Sequence, residues 1–237
     1  MLTLQVIVGS TRPTRAADKV ASWVIERASQ HAAFKPELLD LREWPLPMFG
    51  EHFGTIGDFR DPTYSDPIVR SWNAKIKEGD AYLFITPEYN HSIPGVLKNA
   101  IDSVFVSWAF RNKPAGAVAY SGGATGGARA VEHLAQIAVE TEMAPLKSAV
   151  TIPDVERAFT ADGGPADPMT DVRLGILLDD LAWWGDALRH ARTDRGVDIR
   201  NTLRISSIPQ RYKTAVVLLI PVRVRILDLC PMLYEKQ

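Results

Sequence analysis

Cysteine is all but missing: Cys230 is the only one among 237 residues. A single thiol excludes an internal disulfide, a CxxC redox pair and a thiolate cage for zinc or iron–sulfur, and it fits a reducing compartment. Net charge is missing too, since 27 lysines and arginines against 28 aspartates and glutamates leave −1. That balance argues against a bulk electrostatic grip on nucleic acid or anionic lipid, so any anion has to be held locally. Long apolar runs are absent: the longest uncharged one, Ala215 to Val222, falls far below the ~20 residues a membrane span needs. The opening Leu2 to Val8 has no basic flank and places a polar residue at every second early position, which reads as a strand rather than a signal peptide. A soluble, cytoplasmic protein is expected. The histidines His31, His52, His91, His133 and His190 are scattered, with no HExxH or HxH, so no metal site is expected. No repeat of solenoid length is visible.

What remains is ordinary for a globular chain, 46% hydrophobic and 23% charged. Its length, set against ~150 residues per domain, suggests one α/β domain with an appendage. Leu2 to Val8 is β-rich and ends at Gly9. After the turn residues Ser10 to Thr14, Val20, Trp23, Val24 and Ala28 recur at helical spacing. Phe34 to Leu41 reads as a second strand. Trp44-Pro45-Leu46-Pro47 then breaks regular structure, because each proline removes a backbone donor. Residues 50–67, rich in glycine and charge, read as a loop over a site and hence a lid candidate.

A helix from Pro67 leads to Ala81-Tyr82-Leu83-Phe84-Ile85, apolar on both sides of the pleat, as a central parallel strand would be. Pro94 opens another helix, Ala115 to Tyr120 gives the next strand, and the helix after Gly127 turns Val131, Leu134, Ala135 and Ala138 inward. Met143-Ala144-Pro145 closes that helix before a strand at Ser148 to Ile152. The last clear helix spans about Asp171 to His190, with Leu174, Leu177, Leu178, Leu181 and Leu188 in register. Alternation of this kind predicts a doubly wound parallel sheet with ligands outside the carboxyl ends of its strands. The domain is expected over 1–192, and 193–237, with a break at Thr193 to Gly196 and a β-rich run from Thr214 to Leu229, is expected as a C-terminal extension.

The loops able to carry chemistry are therefore 9–15, 86–93 and 121–127. Gly9-Ser10-Thr11-Arg12-Pro13-Thr14-Arg15 brings hydroxyls, guanidiniums and a helix N-terminus together, an anion cradle suited to phosphate. A capped helix start with surface arginines is the plainer alternative. There is no GxGxxG for a dinucleotide and no GxxxxGK[ST] for a triphosphate, which favours a monophosphate. Thr86 to Gly95 offers Tyr89 and Asn90 between the stiffening Pro87 and Pro94, a border suited to a planar heterocycle. Ser121-Gly122-Gly123-Ala124-Thr125-Gly126-Gly127 permits close backbone approach. Taken singly, the first of these segments also reads as a turn with a helix entry and the second as a flexible connector.

The Gly-Ser-Thr-Arg…Arg loop, the run Thr86-Pro87-Glu88-Tyr89-Asn90…Pro94-Gly95-Val96-Leu97-Lys98-Asn99-Ala100-Ile101-Asp102 and the later glycine-rich loop resemble the NADPH-dependent FMN reductase family over residues 2–190. The resemblance implies a flavodoxin-like fold, five parallel strands with helices on both faces, as a homodimer or homotetramer. It implies FMN as cofactor and NADPH or NADH as hydride donor, with electrons passing to flavin, a quinone or a related acceptor. Carried onto this chain, Ser10, Arg12 and Arg15 would hold the phosphate. Pro87, Glu88, Tyr89 and Asn90 would border the ring system, and Ser121, Gly122 and Gly123 would reach its pyrimidine side. No acid–base residue is required, because the cofactor carries the chemistry. The residues leave the acceptor open among free flavin, a quinone, an azo compound, a metal ion and a partner monooxygenase.

Three rival readings are weighed against this one. A flavodoxin-type electron carrier would use no pyridine nucleotide, and the near-zero net charge does not favour it. A serine hydrolase with Ser121 as nucleophile fails at its elbow, because G-x-S-x-G needs glycine where Ala119 stands. A non-catalytic scaffold would not need intact phosphate and ring loops.

Overall fold

The computed structural model describes residues 1–52, 54–56 and 63–195. Five strands, β1 (Leu2–Val8), β2 (Phe34–Asp40), β3 (Ala81–Pro87), β4 (Pro114–Tyr120) and β5 (Ala144–Ile152), form one sheet in the order β2-β1-β3-β4-β5. Every neighbouring pair is parallel. The crossovers are α1 (Ala17–Gln30), α2 (Pro67–Lys77), α3 (Gly95–Asp102) and α4 (Ala128–Glu140), and α5 (Pro168–Arg195) follows β5. This is the flavodoxin-like doubly wound arrangement, whose strand order reverses between β1 and β3.

The sheet is buried on both faces because alternate side chains of the central strands serve separate cores. Val6, Val8, Leu83, Ile85 and Val118 point toward α1 and α5, where Val20, Trp23, Val24, Leu174, Leu177 and Leu181 meet them. Ile7, Tyr82, Phe84 and Ala117 point the other way, against Trp72 and Ile76 of α2, Leu97 and Ile101 of α3, and Leu134 and Ala138 of α4. Each large side chain so buried stabilises the fold by roughly 1.5–3 kcal/mol. Prolines sit where a missing N–H is tolerated: Pro36 on β2 and Pro145 on β5, both edge strands, and Pro114 as the first residue of β4.

Some expectations need correction. β5 begins at Ala144 rather than Ser148, with a register irregularity where Ala115 pairs Pro145 but Ala117 pairs Ala149. An edge strand interrupted in this way shows no clean alternation in its sequence. On α4 the buried residues are Ala130, Leu134 and Ala138, while Val131 and Ala135 are half-buried. Helix α5 continues to Arg195, through the expected break at Thr193. Residues 196–237, including most of the expected extension and Cys230, lie outside the described residues.

The described flanks of the 50–67 loop are packed. Ile56, Tyr64, Val69 and Val106 form a small core of their own, with Leu46 and Phe49 against it, and the Tyr64 hydroxyl donates to Asn73 Oδ1 at 3.0 Å. Within the lid candidate, residues 53 and 57–62 lie outside the described residues. The proline-rich stretch before it is fastened by Asn99 of α3, whose amide accepts from the Phe49 N–H and donates to the Pro47 carbonyl, both at 2.9 Å.

Candidate functional site: a mononucleotide cradle at the carboxyl rim

Parallel strands deliver all their following loops to one edge, so residues 9–16, 88–94 and 121–127 share the carboxyl rim of β1, β3 and β4. The first loop leaves β1 at Gly9, where a Cβ would stand 2.8 Å from Leu97 Cδ2 and 3.2 Å from the Ile85 carbonyl oxygen, so glycine is what fits without a shift. Ser10 follows, fully buried, with its Oγ 2.9 Å from the Tyr89 hydroxyl. The Arg12 guanidinium lies over the Tyr89 ring, 3.8 Å from the centroid, a cation–π contact. These two contacts lock the first loop to the second. Tyr120, at the end of β4, adds a phenol beside Ser10 and Tyr89 whose pKa burial pushes well above the ordinary value.

The second loop makes a tight reversal. Asn90 and His91 both take positive φ, 49° and 75°, as a type I′ turn demands. Tyr89 and Ser92 close it by exchanging backbone hydrogen bonds of 2.8 and 3.1 Å. Glu88 faces away from this turn and toward the third loop. Its N–H donates to the Tyr120 carbonyl at 2.9 Å. Its carboxylate pairs with the Arg129 guanidinium and accepts from the Arg129 N–H at 3.3 Å, capping α4. Burial raises the Glu88 pKa, but the bonds and charge of Arg129 outweigh it, so the net shift is downward.

In the third loop the Ser121 hydroxyl donates to the Gly123 carbonyl at 2.9 Å and accepts from the Gly123 N–H at 3.2 Å. The four glycines of this loop divide into two pairs. Gly126 and Gly127 are required by the chain itself, with φ of 60° and 92° and, at Gly127, a Cβ position 2.6 Å from Ala119 Cβ. Gly122 and Gly123 have open space around the position of a Cβ and no positive φ. Among the described residues no intramolecular contact demands glycine there, and the space beside them is open.

The rim is also rich in unused donors. Among the described residues no acceptor takes the backbone N–H of Ser10, Thr11, Arg12 or Gly122, and the N-cap of α1, Ala16, supplies no side-chain cap. Bare loop N–H groups leading toward an uncapped helix start, with the exposed Arg12 beside them, are the donor types that an anion needs. Arg15, expected to share in gripping a phosphate, is placed otherwise. Its side chain is 3% exposed; Nη1 donates to Asp40 Oδ1 at 2.7 Å and Nη2 to Asp40 Oδ2, while Nε donates to Asp18 Oδ1 at 2.8 Å. Burial raises the Asp40 pKa, but the hydrogen bonds from Arg15 and the Arg42 N–H, with the charges of both arginines, together outweigh it, so the net shift is downward.

The residues singled out in sequence thus fall into groups. Ser10, Arg12 and Tyr89 are in mutual contact, Pro87 and Asn90 flank that cluster, and Ser121, Gly122 and Gly123 line the neighbouring loop. Glu88 and Arg15 make ion pairs that hold loops in shape. Arg129, Asp40 and Arg42 were not foreseen. The available signal for Asp40 and Arg42 was their position at the carboxyl end of β2, and for Arg129 its place in the first turn after Gly127. Beyond Thr11 the rim opens into a cleft of about 610 Å³ bordered by Leu41, Trp44, Leu46, Met48 and Val96.

Fold, switch point and cradle together define a flavodoxin-like α/β protein built to take a phosphorylated planar ligand. The description NADPH-dependent FMN reductase matches residues 2–156, and the chain belongs to that family. It is similar to an NAD(P)H-dependent FMN reductase of Schizosaccharomyces pombe, 34% identical over 150 residues, which cover 62% of this chain and 72% of the relative. It is also similar to an NAD(P)H:quinone oxidoreductase of Solanum tuberosum, 40% identical over 142 residues, or 56% and 68% of the two chains. Among solved structures, the flavoenzyme NAD(P)H:(acceptor) oxidoreductase FerB of Paracoccus denitrificans superposes with a TM-score of 0.63 at 26% identity, over 79% of this chain and 98% of that one.

Proposed function

We propose that this chain is an NAD(P)H-dependent flavin oxidoreductase that holds FMN at the carboxyl rim and passes electrons to free flavin, a quinone or a related acceptor. The observation that carries the reading is the continuity of the three loops. Ser10 and Arg12 touch Tyr89, Glu88 touches Tyr120 and Arg129, and between them lie bare N–H groups and two unconstrained glycines. FMN fits this donor set: the Ser10 hydroxyl, the Arg12 guanidinium and the first-loop N–H groups would hold its phosphate. Pro87, Tyr89 and Asn90 would border its ring, with Ser121, Gly122 and Gly123 on the far side. When bound, FMN supplies hydride acceptance from the pyridine nucleotide and delivery of electrons onward. The protein's part is to orient and enclose, which needs no protein nucleophile or acid–base group.

Residue roles apart, the expected homodimer or homotetramer is retained as part of the proposal. The exposed Met48 and Val96 beside the 610 Å³ cleft give a second copy apolar surface to cover. Among the described residues no helix is long and apolar enough to cross a membrane, and a cytoplasmic location with its reduced pyridine nucleotides suits the reaction. A monooxygenase drawing reduced flavin from this protein belongs to the same proposal. The deciding experiment is anaerobic titration with NADPH and NADH, with and without added FMN. Bleaching of the flavin absorbance, followed by turnover with a quinone, is the expected result. FMN binding without bleaching would instead make the protein an electron carrier.

A further inference from the structure

Resting on the FMN reading above, we propose that Asp40 and Arg42, at the carboxyl end of β2, are positioning residues for the phosphate, and that Arg15 acts with them rather than on the ligand. The observation is the complete engagement of the Arg15 guanidinium. A guanidinium has five N–H donors. Nε faces Asp18 Oδ1 at 2.8 Å; Nη1 faces the Ser10 carbonyl and Asp40 Oδ1; Nη2 faces Asp40 Oδ2 and stands 2.6 Å from Asp18 Oδ1. No nitrogen is left to meet a phosphate oxygen.

These contacts aim the loop. In a planar trans peptide the carbonyl of one residue and the N–H of the next point in opposite directions. The Ser10 carbonyl turns inward to Arg15, so the Thr11 N–H turns outward. Arg42 does the same one turn later: its Nη2 holds the Arg12 carbonyl and, at 2.9 Å, the Pro13 carbonyl, which directs the Thr14 N–H away from it. Among the described residues neither of these N–H groups has an acceptor. Asp40 ties the two arginines together, taking Arg15 in a two-oxygen grip and accepting the Arg42 N–H at 3.0 Å. Asp18, 3.4 Å from Arg42 Nη1, closes the ring. The cradle is therefore shaped before any ligand arrives, which lowers the ordering cost of binding.

The test compares dissociation constants of FMN and riboflavin, measured by quenching of flavin fluorescence on apoprotein, for wild type and Asp40→Asn. A positioning role predicts FMN binding weakened about tenfold or more, with riboflavin changed less than about twofold, because only the phosphate contacts are lost. If Arg15 instead gripped the phosphate directly, Asp40→Asn would free it and remove a nearby negative charge, and FMN would bind as well or better. That result overturns the proposal, as does a parallel loss for riboflavin. The double variant Arg15→Gln/Asp40→Asn should lose no more than the larger single loss, as for residues acting as one unit. Should Asp40→Asn not fold, Arg42→Gln leaves the buried pair intact and must show the same selective loss of FMN. A wild-type protein that binds neither flavin refutes the FMN reading itself, an outcome distinct from selective or reversed behaviour in the variants.

Discussion

The two rims of the same sheet treat their polar groups in opposite ways. At the amino rim the groups around Lys113 and Asp80 are closed upon one another. Lys113, almost fully buried, donates to the Tyr82 hydroxyl at 2.9 Å and to the Lys77 carbonyl at 3.0 Å, at the end of α2. Asp80 accepts from the Thr3 N–H and pairs with Arg192 at 3.1 Å and Arg189 at 3.8 Å, and Arg192 also donates to the Asn112 carbonyl at 2.7 Å. At the carboxyl rim, donors are left bare, Arg12 lies exposed on an aromatic ring, and Gly122 and Gly123 face open space. The same polar chemistry serves stability where partners are complete and binding where they are withheld. Satisfied networks resist substitution, and incomplete ones wait for a ligand.

The largest test of that contrast is Asp80→Ala. It takes a shared carboxylate from Arg192, Arg189 and the Thr3 N–H, leaving Arg192 the Asn112 carbonyl and Arg189 its pair with Asp186, and should lower unfolding free energy by about 2 kcal/mol, with the FMN dissociation constant unchanged; thermal melts and flavin quenching report the two quantities separately. The mirror experiment is Arg12→Ala. Loss of its charge should weaken FMN binding by roughly thirtyfold and leave the melting temperature of the apoprotein nearly where it was. A melting temperature that fell with the affinity would erase the distinction between the rims.

A smaller effect concerns pH. Burial, reinforced by Arg192 nearby, lowers the Lys113 pKa from 10.5 to about 7. Between those values the unfolded chain binds a proton the folded chain does not, so this residue's contribution to stability rises with pH from about 7 toward 10.5. Lys113→Met should flatten the rise in melting temperature between neutral and mildly alkaline pH. An undiminished rise in the variant would exclude Lys113 as its source. Smallest of all, Gly122→Ala should change stability by less than ~0.5 kcal/mol, since its Cβ meets nothing. Weaker FMN binding in that variant, read by equilibrium titration, is the expected sign that the open space belongs to the ligand.

Much of the fold is readable before any coordinates. The unbroken apolar run Ala81 to Ile85 marks a strand covered on both faces, and Val20, Trp23, Val24 and Ala28 mark the buried side of α1. Failures cluster where local pattern and packing part company: at β5, whose irregular pairing blurs its start, and on α4, where Ala130 rather than the larger Val131 meets the sheet. The loops of the site are legible for a similar reason, since Gly9, Pro87 and Gly122 punctuate the ends of apolar strands.

By itself the chain's order of apolar and turn residues determined an alternating α/β protein with its polar loops at one edge, because hydrophobic periodicity and backbone stereochemistry act over a few neighbouring positions. Which arginine is enclosed and which stays exposed was decided only in three dimensions. Arg12 and Arg15 are three residues apart and chemically identical, yet one lies on Tyr89 and the other is enclosed by Asp40, 25 positions away. Glu88 reaches its partner across a comparable gap, 41 positions, to Arg129. Ion pairing depends on distance through space, and nothing in a linear string carries that distance until the sheet has brought the strand ends together.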